Sequence, residues 1–204
     1  MILLVSSGTK KHCNRVNDNL DKFGCFVSPR CYSSISRTTG IIGADNDCFN
    51  SSYSDESFLS LVNRLAKYKE RLKFIAVPDV PFNDKETLKK FYVWYETLKD
   101  FNLPLALVTQ DEMLTKDIPW NKIQALFIGG STEWKLSTES VNIIKEGQKK
   151  NKWIHVGRVN TPSRITLCKM LNVDSIDGTG FSMFADVQIK MYEQVISQDV
   201  LFYL

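Results

Sequence analysis

The sequence has no Cys-x-x-C pair, no His-x-His pair and no Gly-x-Gly-x-x-Gly run. The first two absences argue against a zinc knuckle and against a paired-histidine metal site. The third argues against a dinucleotide-binding sheet. No stretch approaches the roughly 18 apolar residues of a membrane span. The five cysteines (Cys13, Cys25, Cys31, Cys48 and Cys168) are odd in number and irregular in spacing. That argues against a disulfide framework and points to a reducing compartment. A zinc site from His12, Cys25, Cys31 and Cys48 would need irregular spacing, so neither metal nor cofactor is expected. The apolar run Met1 to Val5 is too short for a signal peptide and has no basic residues before it. The expected location is the cytoplasm, with no membrane partner.

What is present fits a folded α/β protein. Hydrophobic residues make up 43% of the chain, enough for a core, and its 204 residues suit a single domain, 1–204. The net charge of +3 neither demands nor excludes a polyanionic partner.

Short apolar runs alternate with longer amphipathic ones. Strands are expected at Ile2–Val5, Cys25–Ser28, Lys73–Val77, Leu105–Thr109, Gln124–Ile128, Trp153–Val156 and Val173–Ile176. The segment Lys10–Lys22 is polar and weakly helical. Ser54 caps a helix whose apolar face is Phe58, Leu61, Val62 and Leu65. Asn83 and Glu86 form a capping box before a helix with Leu88, Phe91, Tyr92, Tyr95 and Leu98 on one face. Further helices are expected at 136–150, 162–171 and 183–196. Residues 31–50 read as a long loop with one short strand before Asp45.

This alternation is the pattern of repeated βαβ units with a parallel sheet. Seven or so strands, without a nucleotide-binding glycine run, favour a small or incomplete TIM-like barrel. An open flavodoxin-like sheet is the alternative.

The strand ends are polar. They carry Asp45, Asp79, Gln110, Gly129-Gly130, His155-Val-Gly-Arg158 and Asp177. In a barrel these residues converge on one rim, where active sites are built. Three carboxylates with an arginine and a histidine suit binding of a polar planar ligand and nucleophilic or acid/base chemistry. Each also has a plainer reading. Asp177-Gly178 is a common turn pair, Asp45 and Asp79 suit turns, and His155 suits a satisfied core position.

Several of these segments together resemble the tRNA-guanine transglycosylase superfamily. Val173-Asp-Ser-Ile-Asp177 resembles the strand bearing that family's nucleophilic aspartate. Phe127-Ile-Gly129-Gly130 resembles its base-binding Gly-Gly segment, and Val156-Gly157 its later glycine turn, from which Arg158 departs. Ala44-Asp45-Asn46-Asp47-Cys48-Phe49 is similar to the run holding a second catalytic carboxylate. Val77-Pro78-Asp79 matches the position of a base-recognising aspartate. The resemblance covers residues 40 to 180 in order and is nearest to short phage-type members related to DNA-guanine transglycosylases. The three-cysteine, one-histidine zinc cluster of the tRNA-modifying members does not follow Asp177.

The resemblance implies a pentosyltransferase that exchanges a guanine-type base for a 7-deazapurine-like base at a β-N-glycosidic bond. Asp177 would be the nucleophile and Asp45 the second catalytic group. Asp79, Gln110, Gly129, Gly130, Arg158, His155 and Phe49 would bind substrate. Arg158 would hold a phosphate, and Phe49, Trp134 or Phe181 would stack on a base. The missing cluster favours DNA over tRNA as the nucleic-acid partner. The setting would be the host cytoplasm, and a homo-oligomer or partner subunit is compatible. Two other functions fit the same residues: an N-glycosidase acting on a nucleoside or nucleotide, and a non-catalytic nucleotide- or base-binding protein of phage origin.

Overall fold

The structure, a computed structural model, describes residues 1–6, 8–50 and 53–198. Ser7, in the turn expected after the first strand, lies outside the described residues. Among the described residues, eight strands close into one barrel in chain order, each parallel to its neighbours. They are β1 (Ile2–Val5), β2 (Phe23–Val27), β3 (Ile42–Ala44), β4 (Leu72–Ala76), β5 (Leu105–Thr109), β6 (Ala125–Ile128), β7 (Trp153–Val156) and β8 (Ser175–Ile176). Pairing of Ile2 with Ser175 and Leu3 with Ile176 closes the barrel. Closure rules out the open flavodoxin-like sheet.

The eighth strand is β3, the short strand expected before Asp45. It has three residues, one of them a glycine, and so carries little periodic signal. Gly43 is required there: a Cβ would stand 2.5 Å from Leu4 Cδ1 and 2.6 Å from Phe74 Cζ. A side chain at this position would overfill the barrel.

The strands have two apolar faces. Outward residues such as Leu3, Val5, Ile75, Leu107 and Ile128 join the layer beneath the helices. Inward residues Leu4, Phe26, Phe74, Ala106 and Ala125 fill the barrel, with Phe127 and Trp153 packed against them. Small residues at Gly24, Gly43, Ala106 and Ala125 offset the rings of Phe26, Phe74 and Phe127, so the interior is packed rather than hollow.

The helices start where short polar residues can take orphan backbone N–H groups. Thr9 caps α1 (Lys10–Asp18), and Ser54 caps α2 (Asp55–Leu65). Asn83 caps α3 (Asp84–Leu98), its side chain accepting the Glu86 N–H at 3.0 Å. Ser131 and Ser137 cap α4 (Thr132–Lys135) and α5 (Thr138–Lys149). Thr161 caps α6 (Pro162–Met170), with proline in the first turn where no N–H is needed. Two more helices follow, α7 (Gly180–Met183) and α8 (Ala185–Ser197).

Several expected boundaries shift. The helix expected at 136–150 is α5, starting at Thr138 because Ser137 caps it, and the short α4 before it is not among the expected helices. The helix expected at 183–196 is α8, starting two residues later, with the short unexpected α7 before it and Phe184 between the two. On α3 the buried residues are Thr87, Phe91, Trp94 and Leu98, while Tyr92 is exposed. Trp94, which the expected face left out, takes the inner position by packing edge-on against Phe58 at 5.1 Å. Strand β8 is two residues long rather than four. Val173 and Asp174 precede it, although the Asp174 side chain still accepts the Ile154 N–H at 2.7 Å. Among the described residues no helix is long and apolar enough to cross a membrane.

Candidate active site

The C-terminal ends of β3 to β8 open onto one cavity of about 480 Å³. Asp45, the first residue after β3, lines it. So do Asp79 beyond β4, Gln110 after β5, Gly129 and Gly130 after β6, Arg158 beyond β7 and Asp177 after β8. Phe49 is at the mouth, 61% exposed, edge-on to Phe82 at 5.9 Å.

The nucleophile candidate is held from beneath and from one side. Asp177 Oδ1 lies 3.1 Å from His155 Nε2 and accepts the Arg158 backbone N–H at 3.1 Å. Among the described residues Oδ2 receives no hydrogen bond, so it is the oxygen left to meet a ligand. His155 Nδ1 is 2.9 Å from Ser175 Oγ, which accepts the Trp153 indole N–H at 2.9 Å. A carboxylate only accepts, so His155 donates from Nε2 to Asp177; in that tautomer Nδ1 accepts the Ser175 hydroxyl proton, while the Ser175 oxygen accepts from the indole, which can only donate. Trp153 donates to Ser175, Ser175 to His155, and His155 to Asp177. The period-two pattern of strands brings these four inward, from positions 153 and 155 on β7 and 175 and 177 on and after β8.

His155 does not line the cavity. It is fully buried under Asp177, boxed by Phe26, Phe74 and Phe127 at ring distances of 5.4, 4.8 and 4.7 Å. Its place is that of a support for Asp177 rather than of a substrate contact.

Asp79 is fixed by two amides. Asn46 Nδ2 donates to Oδ1 at 2.8 Å and Gln110 Nε2 to Oδ2 at 2.5 Å. Burial pushes Asp79 above the ordinary carboxylate value, while Asn46, Lys90 and Gln110 pull it back. Gln110 Oε1 accepts the Phe82 N–H at 2.8 Å, so this amide is oriented before any ligand arrives. Asp47, also in the cavity wall, is neutralised by Arg30, whose Nε lies 3.3 Å from Oδ2.

Asp45 has no such compensation among the described residues. Its Oδ1 accepts the neighbouring Asn46 N–H at 2.9 Å. Burial, together with the carboxylates of Asp177, Asp47 and Asp79, pushes it up to about 7. A carboxyl that exchanges its proton near neutrality, beside a hydrogen-bonded carboxylate, has the form of an acid/base and nucleophile pair.

Gly130 has φ of +73°, and a Cβ there would meet Asp111 Oδ1 at 2.4 Å. That oxygen accepts the Ser131 N–H at 2.6 Å, so the glycine permits the turn that starts α4. Arg158 also has a left-handed backbone, φ +59°. Its Nη2 donates to Gly130 O at 2.5 Å, and its guanidinium lies over the Phe49 ring at 4.7 Å. Trp134 and Phe181, expected as stacking residues, are both buried in the outer core and cannot receive a base.

Sequence reasoning missed Asn46, Arg30 and Lys135. Asn46 and Arg30 act on carboxylates 33 and 17 residues away, and no local pattern signals such pairs. Ser175 was legible in principle, through its two-residue spacing from Asp177. Among the described residues, no three His, Cys, Asp or Glu side chains are grouped as a metal site.

No family model matches the chain, and no curated protein matches it. Among solved structures, one similar chain is that of the PaMucR phosphodiesterase in its c-di-GMP complex. The identity is 16%, over 68% of this chain and 59% of that one, with a TM-score of 0.41. The match thus spans less than two thirds of that chain.

Proposed function

We propose that this protein is a base-exchanging transglycosylase acting on a purine nucleotide in nucleic acid, with DNA favoured over tRNA. The observation that carries the reading is the pairing, in one cavity, of Asp177 with Asp45. Asp177 is held on a single oxygen, and Asp45 is placed to exchange a proton near pH 7. The resemblance of residues 40 to 180 to guanine transglycosylases supports the same assignment.

The steps balance without a cofactor. Asp177 Oδ2 bonds to the anomeric carbon of the sugar as the C–N bond to the purine breaks. The electron pair leaves on the purine, and protonated Asp45 supplies the proton that neutralises it. An incoming base then attacks the same carbon, Asp45 takes its proton, and the ester bond to Asp177 breaks. The configuration is retained, as in double-displacement glycosidases. Asp79 keeps spare lone pairs on both oxygens to accept purine N–H groups. The Gly129-Gly130 backbone borders the base without side-chain obstruction. Phe49 and the Arg158 guanidinium stand at the mouth, where a base drawn out of its stack would pass.

The test is incubation with single-stranded DNA, duplex DNA and tRNA, each with labelled guanine or a 7-deazaguanine. Expected are label in the nucleic acid and a sugar adduct on Asp177 by mass spectrometry of the quenched reaction. Release of free base without incorporation would reassign the protein as an N-glycosidase. Absence of any adduct and any base release with every substrate would overturn the enzyme reading.

A further inference from the structure

Lys135 closes the short helix α4 and is almost wholly buried, 8% exposed. A lysine so enclosed is uncommon and needs a partner for its charge. Its Nζ donates to the carbonyl oxygen of Gly157 at 2.8 Å. That carbonyl and the Arg158 N–H belong to one peptide unit, and the N–H is the group that donates to Asp177 Oδ1 at 3.1 Å. The peptide is therefore gripped at both ends, by an ammonium on its oxygen and by the carboxylate on its hydrogen. Arg158 follows at φ +59°, a backbone that a non-glycine residue adopts only under restraint. The restraint is reciprocal. Lys135, beyond β6, holds Gly157, beyond β7, while Arg158 Nη2 holds Gly130, beyond β6.

We propose that Lys135 is a positioning residue for Asp177, acting through the Gly157–Arg158 peptide to aim and strengthen the N–H that holds Oδ1. This rests on reading Asp177 as the nucleophile. A cationic donor on a carbonyl polarises the amide, and the polarised N–H is a stronger donor to a carboxylate. With Oδ1 held on this side and by His155 beneath, Oδ2 is the oxygen presented to the sugar. The plain alternative is that Lys135 merely satisfies a buried carbonyl and fills space.

The groups facing Lys135 make its charge sensitive to pH. Burial lowers its proton affinity most, Arg158 and Arg164 lower it further, and Asp177 and Cys168 draw it back, leaving it at about 8. Below that pH the ammonium grips the carbonyl. Above it the lysine is neutral and the polarisation weakens.

The test uses Lys135→Met, which keeps the stem and removes the charge, and Lys135→Arg, which restores charge and donor. In 1H–15N spectra the Arg158 amide is expected far downfield in the wild type, upfield in Lys135→Met, and partly restored in Lys135→Arg. In the wild type the same resonance should titrate with a midpoint at about 8. The single-turnover rate of adduct formation should fall roughly tenfold or more in Lys135→Met, the usual cost of losing an orienting partner. KM should stay within about twofold, because Lys135 touches no ligand. An Arg158 amide that neither moves in the variants nor titrates in the wild type overturns the proposal, and the wild-type titration decides it even if Lys135→Met does not fold. Should the wild type form no adduct while its Arg158 amide still follows Lys135, the transglycosylase reading fails and the Lys135 linkage stands.

Discussion

His155 Nε2 lies 3.1 Å from Asp177 Oδ1, at the end of a donor chain that begins at the Trp153 indole and runs inside the barrel. The carboxylate at the rim is thus oriented by a chain of residues from the two last strands. Each link is buried or nearly so, and each spends its donor on the next. Replacing His155 by Phe keeps the aromatic box with Phe26, Phe74 and Phe127 but removes the donor to Asp177. The expected result is a kcat lower by roughly 10- to 100-fold with KM little changed. An unaltered kcat in a folded His155→Phe protein would remove the chain from the mechanism.

Asp177→Asn preserves the shape of the side chain and removes the nucleophile. Base exchange should fall by roughly 10⁴-fold or more, and the sugar adduct should vanish. Binding of substrate should survive, read by fluorescence anisotropy of a labelled oligonucleotide. Persistence of exchange in this variant would place the nucleophile elsewhere.

Asp45 carries the pH dependence. Its folded value, about 7, is above the unfolded 3.8, so between these values the folded state binds more protons than the unfolded state. Stability contributed here therefore falls as pH rises from about 4 through 7. The loss is bounded at about 4 kcal/mol for a three-unit shift. Asp45→Asn should raise Tm at pH 8 and leave it nearly unchanged at pH 4, in melts followed by circular dichroism. It should also abolish the alkaline limb of the rate profile and cut kcat by roughly 10²- to 10⁴-fold. A variant with the wild-type pH profile would assign proton transfer to another group.

Phe49 and Arg158 form the mouth. Phe49→Ala should raise KM by about 5- to 150-fold if a base stacks there, the range for roughly 1–3 kcal/mol of stacking. Arg158→Ala should weaken binding and lower the salt slope by about 1, as expected for one phosphate contact. Steady-state rates at several salt concentrations check both, and unchanged KM values would move the substrate path away from these residues.

Gly43 tests the interior. Gly43→Ala places a methyl group against Leu4 and Phe74, at 2.5 and 2.6 Å before relaxation. A loss of about 1–3 kcal/mol in urea unfolding is expected. No loss would mean that the barrel interior has slack.

The order of the elements was legible from local sequence. An apolar run followed by a polar residue marks a strand end, and Ser54 and Asn83 mark helix starts, because a strand's alternation and a cap's hydrogen bond span only a few residues. For the same reason the local pattern alone places Asp45, Asp79, Gln110 and Asp177 at strand ends. Closure of the barrel could not be read that way, since it depends on Ile2 meeting Ser175 across nearly the whole chain. Nor could the inequality among the carboxylates. Asp47 meets Arg30, Asp79 meets Asn46 and Gln110, Asp177 meets His155 and the Arg158 N–H, and Asp45 is left to its neighbour's amide. That distribution is a matter of distances between strand ends remote in sequence, and electrostatics at such distances is decided only when the barrel has formed.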